Sequence, residues 1–126
     1  MYVETDFFLA LIKDDDWLGE AAEAVFERHR ESLWTSEYTL IELLLLAYRE
    51  GLDAHEVVND ASSLVSVDGP VDHLLTASVY VDEFDLTPFD ALHAVAARGD
   101  TIVSSDRAYE PIVTWVDLRS FDGSAR

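Results

Sequence analysis

The chain has 126 residues, enough for one domain, and 49% of them are hydrophobic, enough to fill a core. It has no cysteine, which excludes disulfides, thiolate catalysis and zinc–sulfur centres. Acids outnumber Lys and Arg 26 to 8, giving a net charge of −18 and strong self-repulsion at low salt.

Residues 2–5 read as a short strand, because Tyr, Val and Thr favour extended backbone. A helix begins within "FFLALI". "DDDW" precedes a second helix, with Leu18, Ala21, Ala22, Val25, Phe26 and His29 on one face at 3.6-residue spacing. Its aspartates cap that helix and complement its dipole; neighbouring residues cannot all face one metal ion. "SLWT" (32–35) is a strand, Ser36 caps a helix over 37–50, and Gly51 ends it. Residues 53–63 form a weaker helix, "LVSV" (64–67) a strand that "DGP" stops, and 71–84 a helix. Thr87 as N-cap and Pro88 behind it start a helix that runs to Arg98, with Gly99 following. "TIVS" (101–104) is a strand, "SDRAYEPI" a turn, "VTWVDL" (113–118) a last strand, and 120–126 a loose tail. This alternation predicts an α/β fold over 1–126, a parallel sheet of about five strands with helices on both faces.

No apolar run reaches the roughly 18–20 residues of a membrane span; the longest, "LIELLLLAY", carries Glu42. No basic leader or cleavage signal is visible, so a cytoplasmic location is expected and no membrane partner. The acids are spread along the whole chain, and Lys13 is the single lysine. That pattern favours adaptation to high cytosolic salt, where screening removes the repulsion, over an acidic protein built for a cationic partner.

Open parallel sheets bind ligands outside the carboxyl ends of their strands. Glu4 and Asp6 end the first strand, and Asp106 follows the strand 101–104. Asp90 lies in the first turn of the helix leading into that strand, and Glu42 near the start of the helix after strand two. Each has a structural alternative. Asp90 completes "TPFD", a capping box with Thr87. Asp106 and Asp6 suit N-caps, and Glu42 suits an ion pair with Arg49. Together, ionised acids about 4 Å apart repel by on the order of 4 kcal/mol per pair at an effective dielectric near 20. Protonation or a cation must relieve this. With oxygen donors only, the cation is Mg²⁺ or Mn²⁺, which suits phosphoryl chemistry.

"YVETDFFLALI", "TSEYTLIELLLLA", "LTPFDALHAVAA" and "TIVSSDRAY" resemble, in order and spacing, the four acidic motifs of PIN-domain ribonucleases, the VapC-type toxins most closely. The similarity covers roughly residues 2–110. It implies a three-layer α/β/α domain that binds Mg²⁺ or Mn²⁺ and hydrolyses RNA with metal-activated water. It places Glu4, Glu42, Asp90 and Asp106 at the four acids. Asp6 stands where the family usually has Asn or Ser, and Ser104 at the small hydroxyl residue behind the fourth acid. Glu4 departs from the family's usual Asp, so Asp6 is expected to share the ligand role. The resemblance makes His93 an inward-packing helix residue, and it implies a homodimer and a small antitoxin partner. Arg107 is a candidate for an RNA phosphate. Trp17, Trp34 and Trp115 are read as core or partner contacts rather than base stackers. Two rivals stand beside the toxin: a housekeeping RNA-processing nuclease, and a PIN module whose site has decayed, favoured by Glu4. An acidic protein with a basic partner and no enzyme function is a third, which leaves the placement of the acids unexplained. RNA is itself a polyanion, and no basic stripe offsets the charge of the chain.

Overall fold

The N-terminal strand is cut short by its own glutamate. Residues 1–13 and 15–120 are described by the computed structural model. Within it the backbone is extended at Tyr2, then turns at Glu4 into helix α1, Thr5–Ile12. Glu4 is the N-cap of α1 and its carboxylate accepts the Asp6 amide at 3.0 Å, so the β-prone composition of residues 2–5 loses to a local cap. Helix α2, Gly19–His29, follows and runs into a 3₁₀ turn at Arg30–Ser32. The remaining elements are β1 (Trp34–Ser36), α3 (Glu37–Glu50), α4 (Ala54–Leu64), β2 (Ser66–Asp68), α5 (Val71–Phe84), α6 (Pro88–Ala97), β3 (Thr101–Ser104), a 3₁₀ turn at Arg107–Tyr109, and β4 (Thr114–Asp117). The expected loose tail falls on residues 121–126, outside the described residues, apart from Ser120, whose amide donates to the Asp117 carbonyl at 3.2 Å.

Among the described residues the strand pairing is parallel, as expected, but it forms two pairs rather than the five-stranded sheet. Among the described residues β1 pairs with β2, placing Thr35 opposite Val67, and β3 pairs with β4, placing Val103 opposite Val116. The first segment contributes one bridge, Tyr2 to Trp34, held by Trp34 N–H to the Met1 carbonyl at 3.0 Å and Val3 N–H to the Trp34 carbonyl at 2.9 Å. No ladder joins it to β3 among the described residues. Three extended residues that become helical at Thr5 present too little edge to pair on two sides.

The helices carry the core. Phe8, Leu40, Leu43, Leu44 and Val58 are fully buried, and α3 packs on α1, α4, α5 and α6. Helices α3 and α5 have the bounds that periodicity predicts, and Gly51 ends α3 with φ 70°, a left-handed conformation cheap only for glycine. Ser36 is the N-cap residue of α3 but makes no capping bond; its hydroxyl instead meets the Tyr2 hydroxyl at 2.8 Å. Helix α4 is capped twice, by Asp53 on the Glu56 amide at 2.9 Å and, from α5, by Asp82 on the Ala54 and His55 amides at 3.1 and 2.9 Å. The predicted apolar face of α2 is half realised. Ala22 is buried and Val25 and Phe26 lean on the core, but Ala21 and His29 are exposed because this helix lies at the edge of the fold. The Arg30 guanidinium covers Phe26 at 4.6 Å. Among the described residues no helix is long and apolar enough to cross a membrane.

Candidate active site

Four of the five predicted acids fall into two groups, and Asp6 joins neither. Glu4 and Glu42 line one open cavity of about 370 Å³ with Tyr2, Tyr38, Ile41 and Leu45. Helix α3 brings Glu42 there because β1 delivers the chain beside the first segment. Thr5, buried at the start of α1, donates its hydroxyl to Glu42. The alternative Glu42–Arg49 pair does not form; Thr5 takes that carboxylate and Arg49 is exposed. Asp6 does not cap α1; Glu4 does, and Asp6 stands exposed in the first turn. Tyr2 completes this side, with its hydroxyl 3.2 Å from that of Thr39. The contacts with Ser36 and Thr39 hold the Tyr2 hydroxyl below its ordinary pKa.

The second group is Asp90 and Asp106. Asp90 sits in the first turn of α6, but the TPFD capping box is absent: Thr87 makes no side-chain cap bond. A tertiary partner wins instead. Tyr109 donates its hydroxyl to Asp90 Oδ1 at 3.0 Å. Asp106 does cap, its Oδ1 accepting the Ala108 amide at 2.9 Å at the start of the 3₁₀ turn that carries Tyr109. Ser104 Oγ accepts the Asp106 amide at 3.0 Å and so sets the bend between β3 and that turn. Burial pushes the Tyr109 pKa up to about 12, helped by the hydrogen bond to Asp90 and the charges of Asp90 and Asp106. The hydroxyl is therefore a donor at any neutral pH.

The remaining candidates are placed as follows. His93 is exposed rather than packed inward. Arg107 lies beside Asp106 in sequence, ion-paired to Glu110 at 2.6 Å and stacked over Trp115 at 5.3 Å. Trp115 is half-buried and donates its indole N–H to the Ser104 carbonyl at 2.9 Å. Trp17 is 88% exposed and Trp34 is 42% exposed, so neither is a core residue. Thr5 and Tyr109 were missed by sequence reasoning. Thr5 lies between Glu4 and Asp6, and Tyr109 lies one 3₁₀ turn after Asp106, which were the signals available.

The donor chemistry suits a hard divalent cation. Every candidate ligand is a carboxylate, and among the described residues none of Glu4, Asp6, Glu42, Asp90 and Asp106 is in an ion pair. The donors that hold them are neutral hydroxyls and amides, which orient a carboxylate without cancelling its charge. The acids are not gathered on one point: among the described residues no three Asp, Glu or His side chains form a group able to hold one ion.

A family model described as PIN domain matches residues 1–111. No curated protein matches the chain.

Proposed function

The chain belongs to the PIN-domain family, whose members are generally nucleases, and on that premise we propose that it is a Mg²⁺- or Mn²⁺-dependent endoribonuclease. The reaction is hydrolysis of an RNA phosphodiester by water, leaving a 3′-hydroxyl and a 5′-phosphate. What supports it most is the state of the acids: Glu4 with Glu42, and Asp90 with Asp106, are drawn together in pairs and buttressed by neutral donors, and among the described residues none of them is in an ion pair. Uncompensated carboxylates at this density raise the affinity of the cleft for a divalent cation.

Glu4 with Glu42, Asp90 with Asp106, and the neighbouring Asp6 are the residues that would hold one or two ions, which when bound would supply a Lewis acid that activates water and stabilises charge on the phosphate. The chain's own part is positioning. Thr5 and Tyr109 fix one oxygen each of Glu42 and Asp90, and Ser104 with the Ala108 amide fixes Asp106. Arg107, held by Glu110 and stacked over Trp115, would take an RNA phosphate beside Asp106.

We read the finer role as toxin-like, with a small antitoxin, a homodimeric state and a cytoplasmic, salt-rich setting. The apolar Tyr38, Ile41 and Leu45 beside Glu4 and Glu42 suit a partner segment that carries a basic residue into the acids. A short open reading frame overlapping upstream separates this from a housekeeping RNA-processing enzyme. Cleavage of a fluorogenic RNA in molar KCl with Mn²⁺ tests the activity itself. Asp90→Asn and Asp106→Asn should each lower the rate by about a hundredfold or more, beyond the 10–100-fold that outer residues of metal sites cost. An unchanged rate in either variant removes that residue from the mechanism. No Mn²⁺ binding and no thermal shift in the parent chain would favour the decayed module.

A further inference from the structure

We propose that Tyr109 is a positioning residue for Asp90: its hydroxyl holds one oxygen of that carboxylate and leaves the other for a divalent cation. The inference rests on Asp90 being a site carboxylate, as proposed above. Its geometry is independent of that. The Tyr109 side chain is 4% exposed, and its hydroxyl meets Asp90 Oδ1 at 3.0 Å. The local partner that sequence offers Asp90, the Thr87 cap, is unused. A phenylalanine would fill the same space in the core, so the bond to Asp90 is what the hydroxyl adds.

The turn that carries Tyr109 is fixed at both ends. Asp106 caps its start through the Ala108 amide, and the Tyr109 carbonyl accepts the Ile112 and Val113 amides at 3.1 and 3.0 Å where the chain approaches β4. A single three-residue turn therefore sets the Asp106 carboxylate directly and the Asp90 carboxylate through Tyr109. Two acids from separate segments are tied to one rigid piece of backbone. The donor is neutral, so the charge that attracts a cation is kept. The other acid pair shows the same device independently, with the buried Thr5 hydroxyl on Glu42.

The test compares the parent chain, Tyr109→Phe and Asp90→Asn in molar KCl by Mn²⁺ titration calorimetry and by RNA cleavage across Mn²⁺ concentrations. Tyr109→Phe should weaken Mn²⁺ binding by about 10–100-fold. The Mn²⁺ concentration for half-maximal cleavage should rise with it, while the rate at saturating Mn²⁺ stays within about twofold. A packing role alone would leave the Mn²⁺ requirement unmoved. Wild-type Mn²⁺ affinity in Tyr109→Phe, with affinity lost in Asp90→Asn, overturns the role of Tyr109 and spares the site. Wild-type affinity in Asp90→Asn overturns both. If Tyr109→Phe does not fold, ¹³Cζ-tyrosine NMR of the parent chain reads the same contact. The Tyr109 resonance, assigned by replacing the other tyrosines singly, should move on adding Mg²⁺, and a resonance unmoved at saturation overturns the proposal.

Discussion

Thr5 donates its hydroxyl to Glu42, joining the first turn of α1 to the second turn of α3. Thr5 is itself 6% exposed, so this bond is anchored on the buried side and open on the acid side. Thr5→Val removes the donor and keeps the shape. It should destabilise the protein by about 1 kcal/mol, the net worth of one hydrogen bond, and raise the Mn²⁺ concentration needed for cleavage. Urea unfolding in molar KCl gives the first quantity, with Thr5→Ser as the variant that should restore both.

Glu4 and Asp6 separate by what each does for the fold. Glu4 caps α1 and Asp6 does not. Glu4→Ala should therefore cost about 1 kcal/mol of stability along with activity. Asp6→Asn, at an exposed position, should change stability by less than about 0.5 kcal/mol and still lower cleavage. An Asp6→Asn enzyme with parent activity would assign the ligand role to Glu4 alone.

Stability should fall at alkaline pH through Tyr109. Its phenol moves from 10.0 to about 12 in the folded protein. Between those values the unfolded chain has released a proton that the folded chain keeps, so unfolding gains as pH rises. The contribution is complete below about pH 10 and disappears toward pH 12, on the order of 2–3 kcal/mol in all. Urea unfolding of the metal-free protein at pH 9 and 11.5 should show about 2 kcal/mol of that loss, and Tyr109→Phe should be less sensitive by about as much.

Salt should stabilise. With a net charge of −18 and three ion pairs among the described residues, repulsion dominates in dilute buffer. It is screened within about 3 Å at 1 M salt. The Tm should climb steeply from low salt to molar KCl. A flat Tm would mean the acids are matched to a cationic partner instead.

The helical frame was legible in the sequence, and the details that shape the site were not. Helices α3 and α5 announced themselves by long apolar periodicity and, for α3, by Gly51. Topology alone assigned the acids to one sheet edge, whereas they fall into two groups beside two separate strand pairs. The first strand was misjudged because β-propensity in "YVET" is weaker than a glutamate that caps the next helix. "TPFD" looked like a capping box because local motifs are visible in sequence, whereas Tyr109, the partner that displaced it, is 19 residues away. Thr5 and Tyr109 were marked only by their nearness to the acids in sequence, since a neutral hydroxyl leaves no trace in charge or hydropathy patterns.

Glu4 and Glu42 ride on the half of the molecule built around β1 and β2, and Asp90 and Asp106 on the half that leads into β3 and β4. A cation on either pair would tie together segments that no strand ladder joins among the described residues. Loading it would add RT ln(1 + [M]/Kd) to the unfolding free energy, about 2.7 kcal/mol at a hundredfold excess over Kd. The ion-free protein would be the softer one, cut sooner by a protease than the loaded chain.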